Sequence, residues 1–132
     1  MDIKTAFLQG SPLDREVFIK PPKEAGCPNV LWKLNKCVYG LVDASLYWYK
    51  RVKEVMTNCG GTVSKVDPSV FFWHDQSGDL VGMLACHVDD FVWSGCSELD
   101  RVVQQIRERL KVGKEGENAF QFCGIDAKQV FI

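Results

Sequence analysis

No Lys or Arg occurs between residues 67 and 100, although that stretch holds seven acids: Asp67, Asp75, Asp79, Asp89, Asp90, Glu98 and Asp100. The six cysteines include no CxxC pair and no tight cluster. Long apolar runs are also missing. The longest uncharged one, Leu80 to Val88, falls far short of the ~20 residues a helix needs to cross a bilayer, so no membrane partner is expected. Asp2 and Lys4 interrupt the first apolar stretch, and no signal peptide is expected there. A strong net charge is absent as well: 16 Lys and Arg stand against 17 Asp and Glu. The total charge therefore points to neither nucleic acid nor membrane.

What is present is ordinary globular material. The 132 residues are 46% apolar and 25% charged, which excludes disorder, collagen and coiled coil. The length suits one domain, and a chain of this size buries roughly 65–70% of its unfolded surface without covalent staples. The cysteines, at 27, 37, 59, 86, 96 and 123, could pair by parity, but reduced and buried thiols in an intracellular protein are the expectation. Cys86-His87 with Cys96 lacks a fourth ligand and has the wrong spacing for zinc.

The near-zero total hides a segregation. Residues 20–66 carry eight Lys/Arg against Glu24, Asp43 and Glu54, beside the wholly acidic stretch 67–100. A basic segment next to an acidic one suits a polyanion and a divalent cation respectively, although solvated faces explain the same pattern.

Periodicity places the elements. Met1–Leu8 is apolar and is expected to begin inside an element, as in a fragment. EVFIK (16–20) and VLWKLNK (30–36) alternate as short strands. A helix is predicted from Asp43, its N-cap, to Cys59, with Trp48, Val52, Val55, Met56 and Cys59 on one face. Ser69–Trp73 reads as a strand. Leu80–Ser94 reads as two strands meeting at Asp89-Asp90, apolar on both faces and hence buried between layers. Ser97–Lys111 is a second helix, capped by Ser97 with Asp100, with Leu99, Val102, Val103, Ile106 and Leu110 in a stripe. Gly113–Asn118 is a polar loop. Ala119–Ile125 and Gln129–Ile132 form a last hairpin. Runs of strands with two helices predict an α+β fold, an antiparallel sheet with both helices on one face.

Three acids are out of place in this pattern. Asp89 and Asp90 interrupt an apolar run, and an unpaired buried carboxylate costs several kcal/mol. They are either an exposed turn or ligands of a hard cation such as Mg²⁺. Asp2 is likewise embedded among apolar neighbours. If its strand lies beside the hairpin, it converges with Asp89. Because successive strand side chains alternate, Asp89 is the expected partner and Asp90 joins only if the turn re-aims it.

MDIKTAFLQG, CVYGLVDASLYWYKR, LACHVDDFVWSG and AFQFCGIDA, in that order, resemble the motifs of the reverse transcriptase of copia-type LTR retrotransposons. The similarity runs over essentially the whole chain. It implies a palm-like sheet with part of the fingers over 1–132; the N-terminal fingers, thumb and RNase H are expected to lie outside. It implies that Asp2, Asp89 and Asp90 are catalytic and hold two Mg²⁺ ions, with Mn²⁺ as a substitute, for RNA-directed DNA polymerisation: nucleotidyl transfer from a dNTP to a primer 3′-hydroxyl. Phe7 falls at the gate that excludes a ribose 2′-hydroxyl, and Tyr39, Gly40 and Leu41 at the nucleotide-contacting turn. Phe122, Cys123 and Gly124 fall at the primer-gripping hairpin. Lys50, Arg51 and Lys53 are the best-clustered candidates for nucleic-acid phosphates.

The implied partners are an RNA or DNA template-primer, a dNTP and the remaining Pol domains, integrase among them. The implied setting is intracellular: cytoplasmic virus-like particles, with the nucleus as second compartment. The chain departs from the family at His87, where Tyr is commoner, and at Ala44-Ser45-Leu46, where Ala-Pro-Arg is usual. The parent protein is expected to be the enzyme and the isolated fragment to be inactive. The rival readings are a catalytically inactive relic, or a weak nucleic-acid-binding palm fragment. Another Mg²⁺-dependent palm enzyme, such as a nucleotide cyclase, is disfavoured by the Tyr-Gly-Leu helix.

Overall fold

Two helices with apolar stripes need a common surface to cover, and the alternating strands between them provide it. The computed structural model, which describes residues 1–130, has a one-turn helix α1 (Ala6–Gln9), strands β1 (Phe18–Ile19) and β2 (Trp32–Lys33), and helix α2 (Ala44–Asn58). There follow β3 (Thr62–Val63), β4 (Val70–His74), β5 (Leu80–His87), β6 (Asp90–Gly95), helix α3 (Ser97–Arg109), β7 (Ala119–Phe122) and β8 (Ile125–Lys128). The four strands β3-β4-β5-β6 form one sheet in chain order, every pair antiparallel, while β1-β2 and β7-β8 are separate two-stranded ribbons. No helix among the described residues is long and apolar enough to cross a membrane.

Register decides which side chains meet the helices. Phe71 pairs with Leu84, Leu84 with Trp93, and Cys86 with Phe91, and cross-strand partners share a face. Phe71, Leu84 and Phe91 are almost completely buried, in one cluster with Trp48, Val52, Val55 and Met56 of α2 and with Leu99, Val103 and Ile106 of α3. Both helices therefore cover the same face. Each fully buried Leu or Phe there contributes about 1.5–3 kcal/mol. The indole N–H of Trp73 donates to the Cys59 carbonyl (2.9 Å), tying β4 to the end of α2.

The opposite face carries Met83, Ala85, Val92 and the His87–Asp90 pair. Met83 is 41% exposed, and Ala85 and Val92 are half-buried. The hairpin is thus covered on one side among the described residues, not sandwiched between layers. Both strand faces are apolar in sequence, but the helices are sufficient for only one of them.

Several boundaries differ from the sequence reading. The segment before α1 is not a long strand: Asp2 and Ile3 make single bridges, and the chain turns into α1 through a left-handed Thr5. Asp43 stands before α2 but makes no side-chain cap; its carboxylate instead accepts two hydrogen bonds from Arg15, both 2.9 Å. Cys96, not Ser97, precedes α3, again without a side-chain cap. β3 was not anticipated. The second strand of the last hairpin is Ile125–Lys128 rather than Gln129–Ile132, and Phe131 to Ile132 lie outside the described residues. The turn is Cys123-Gly124, both with positive φ (50° and 78°), which brings the strands together earlier than the apolar run suggests. All six cysteines are free; Cys37 and Cys59 are buried, but Cys96 and Cys123 are exposed.

Candidate active site

The β5–β6 connection is a two-residue loop, Val88-Asp89, closed by the His87–Asp90 pair. Val88 has φ 54°, whereas Asp89 is not left-handed. That sign pattern is the one in which glycine is usual at the first loop position. A β-branched residue there stores strain on the order of 1–3 kcal/mol and persists only where its surroundings over-determine it. They do so here. The Val88 carbonyl accepts the indole N–H of Trp48. The Asp89 carbonyl accepts the Ile3 N–H (2.7 Å), and the Met1 carbonyl accepts the Phe91 N–H (2.8 Å). Trp48 also stacks on Phe91, centroids 6.5 Å apart. Trp48 was legible in sequence only as a core residue; its tether to the turn was not.

The first segment is held from both edges. On one side Asp2 bridges Asp90. On the other, the Asp2 N–H donates to the Lys114 carbonyl (2.8 Å), the Gly113 N–H to the Asp2 carbonyl (2.7 Å) and the Lys4 N–H to the Lys111 carbonyl (2.9 Å). Bridge partners project to one face, so Asp2 and Asp90 stand together on the side away from the helices. This corrects the expected pairing of Asp2 with Asp89: the two-residue loop takes Asp89 out of the pleat, and Asp90 is the residue that resumes it. The Asp90 carboxylate accepts the Cys123 N–H (3.1 Å), bringing the tip of β7–β8 to the same place. Partial desolvation, followed by the charges of Asp90 and Asp89, raises the Cys123 thiol above its ordinary pKa.

Asp2, Asp89 and Asp90 are half-buried, and none is in an ion pair among the described residues. Hard carboxylate oxygens without a cation of their own suit a divalent ion such as Mg²⁺. No three acidic, His or Cys side chains among the described residues are gathered closely enough to enclose one; the Asp90 carboxylate is turned to Cys123. Cys86 and His87 face opposite sides of β5, and the Cys86 thiol donates to the Ser69 carbonyl (3.3 Å), so those two residues cannot share an ion.

A second group forms around α1. The Phe7 ring meets Tyr39 edge-on, centroids 4.7 Å apart. Leu41 packs with Phe7 on Cys37, Ala44 and Tyr47. Gly40, between them, has φ 96°, which only glycine adopts freely. Tyr39 itself is 63% exposed. The basic trio on α2 is divided. Arg51 is paired with Glu54 (2.9 Å) and donates to the Arg109 carbonyl, and Lys50 lies over the Tyr47 ring (4.7 Å). Lys53 is exposed and in no ion pair among the described residues.

The family model of the reverse transcriptase (RNA-dependent DNA polymerase) matches residues 1–131. The chain is 31% identical to the retrovirus-related Pol polyproteins from transposons RE1 and RE2 of Arabidopsis thaliana, over 98% of its own length and 9% of each relative. It is 33% identical to the corresponding polyprotein from transposon TNT 1-94 of Nicotiana tabacum, over 72% of the chain and 7% of that relative. The chain thus spans under a tenth of the length of these relatives. No solved structure matches.

Proposed function

The chain belongs to the reverse transcriptase (RNA-dependent DNA polymerase) family, and from that premise we propose that it is the palm portion, with part of the fingers, of a retrotransposon Pol polyprotein, and that Asp2, Asp89 and Asp90 are its catalytic carboxylates. The observation that carries this reading is the bridge between Asp2 and Asp90, which joins acids 88 positions apart at a strained and tethered turn. Those carboxylates would hold magnesium, whose Lewis acidity, when bound, activates a primer 3′-hydroxyl and neutralises charge on the departing pyrophosphate.

The chain's own residues supply position. The tethers on Val88 and Asp89 fix the backbone of the turn, so only side chains need to move when substrate arrives. Phe7, whose ring meets Tyr39, would be the residue that collides with a ribose 2′-hydroxyl, which would favour dNTP over rNTP. Gly40 leaves backbone open to the templating pair, with Leu41 packed behind it. Phe122, Cys123 and Gly124 form the primer-side tip, tied to Asp90. Lys50 and Lys53 meet template-primer phosphates, and Arg51 holds the helix surface. The other Pol domains complete the substrate channel, in an intracellular, virus-like-particle setting.

Primer extension on an RNA template tests the reading, using the parent polyprotein's polymerase region. Asp89→Asn should lower turnover by at least roughly a hundredfold with template-primer still bound. Unchanged turnover in that variant would overturn the assignment. An inactive relic is the second reading. It is favoured by Leu46, 53% exposed at the position where related enzymes carry Arg. Extension activity in the wild-type parent excludes it.

A further inference from the structure

We propose that Gly113, in the loop leaving α3, is a positioning residue for Asp2: the side chain it lacks is the space in which the Asp2 carboxylate sits. This rests on the reading of Asp2 as a metal ligand. A Cβ built on Gly113 would overlap Asp2 Oδ2 outright and would lie 3.2 Å from its Cγ and 3.3 Å from its carbonyl oxygen. The two backbones are locked together here. The Gly113 N–H donates to the Asp2 carbonyl, the Asp2 N–H donates to the Lys114 carbonyl, and Ile3 bridges Val112. Neither strand can retreat without breaking that ladder.

Glycine is required at 113 for room and not for torsion. Its φ is outside the left-handed region, unlike Gly40 or Gly124, so the torsion itself does not call for glycine. The only atoms in the way that can move cheaply belong to the end of a short side chain. An added methyl would therefore push Asp2 to another staggered χ1, taking its carboxylate out of the seat over Gly113. The segment after α3, which the sequence presents as an ordinary polar loop, thus controls the aim of a carboxylate 111 positions earlier.

The test uses the full chain as wild type, Gly113→Ala, Asp2→Ala and the double variant. Three-bond couplings report the χ1 of Asp2 without metal, Mn²⁺ titration followed by electron paramagnetic resonance reports affinity, and urea unfolding reports the fold. In Gly113→Ala we expect a changed Asp2 rotamer, a retained cooperative urea transition, and Mn²⁺ binding weakened roughly 10–100-fold. An unchanged χ1 overturns the inference, whatever the metal does. A wild-type chain that binds no Mn²⁺ overturns the metal reading instead, and a shifted χ1 would still uphold the seat. If Gly113→Ala unfolds the chain, the double variant decides. Removal of the Asp2 carboxylate should restore folding, and an unfolded double variant would show that the glycine serves something else.

Discussion

Trp48 does two separable jobs at residue scale, filling the core and donating one hydrogen bond to the Val88 carbonyl. Trp48→Phe keeps most of the apolar volume and removes the donor. The expected cost is about 1 kcal/mol, measured as a lower urea midpoint; a loss beyond about 3 kcal/mol would mean that packing, not the tether, dominates. Cys86 offers a second handle. Burial, and next the charge of Asp67, pushes its thiol pKa up to about 11 from the ordinary 9.0. The folded state therefore resists ionisation that the unfolded chain undergoes near pH 9. The stabilisation is full below pH 9 and is lost as pH rises to about 11, an effect of up to about 2–3 kcal/mol. Urea midpoints across pH 8–11 should fall less steeply in Cys86→Ala; parallel slopes would show that other groups set the alkaline limit.

Elements were readable where their period was long enough to repeat. The α2 stripe Trp48, Val52, Val55, Met56 and Cys59 is buried as its spacing demands, and so is the α3 stripe, with Val102 at its margin. The two-residue β3, beside Gly60-Gly61, has no flanking alternation to mark it, whereas the equally short β1 and β2 lie within the alternating runs 16–20 and 30–36. Cys-Gly is not a usual left-handed pair, so the sequence does not mark the β7–β8 turn, where the Cys123 N–H donates to Asp90. The three carboxylates were legible as acids out of place, but the bridge of Asp2 to Asp90 instead of Asp89 depends on the loop length, which periodicity leaves open. At this scale Val88 gives a test. Glycine relieves the left-handed backbone, worth about 1–2 kcal/mol, and gives back about 0.5–1 kcal/mol in chain entropy. Val88→Gly should raise stability by up to about 1 kcal/mol, read from urea unfolding. A clear loss would show that Val88 is not strained.

Over the whole molecule, the charge segregation seen in the sequence becomes a segregation between the two sides of the sheet. The acidic stretch 67–100 contains the carboxylate turn, while the basic stretch includes α2, which covers the other side of the sheet. On the proposed reading, the basic stretch would attract phosphates despite the net charge near zero, an attraction that salt should screen. Counterion release predicts a slope of log affinity against log salt of about −0.9 for each duplex phosphate neutralised. Arg51 is already committed to Glu54 and to the end of α3, whereas Lys53 has no acidic partner among the described residues. Lys53→Ala should therefore reduce the magnitude of the slope by about 0.9 for a duplex template-primer, and Arg51→Ala should leave it close to wild type while lowering stability slightly through the lost helix contacts. Affinities measured between low and physiological salt distinguish the two. A slope that changes for Arg51 and not for Lys53 would place the nucleic acid along the α2–α3 junction and not along the exposed flank of α2.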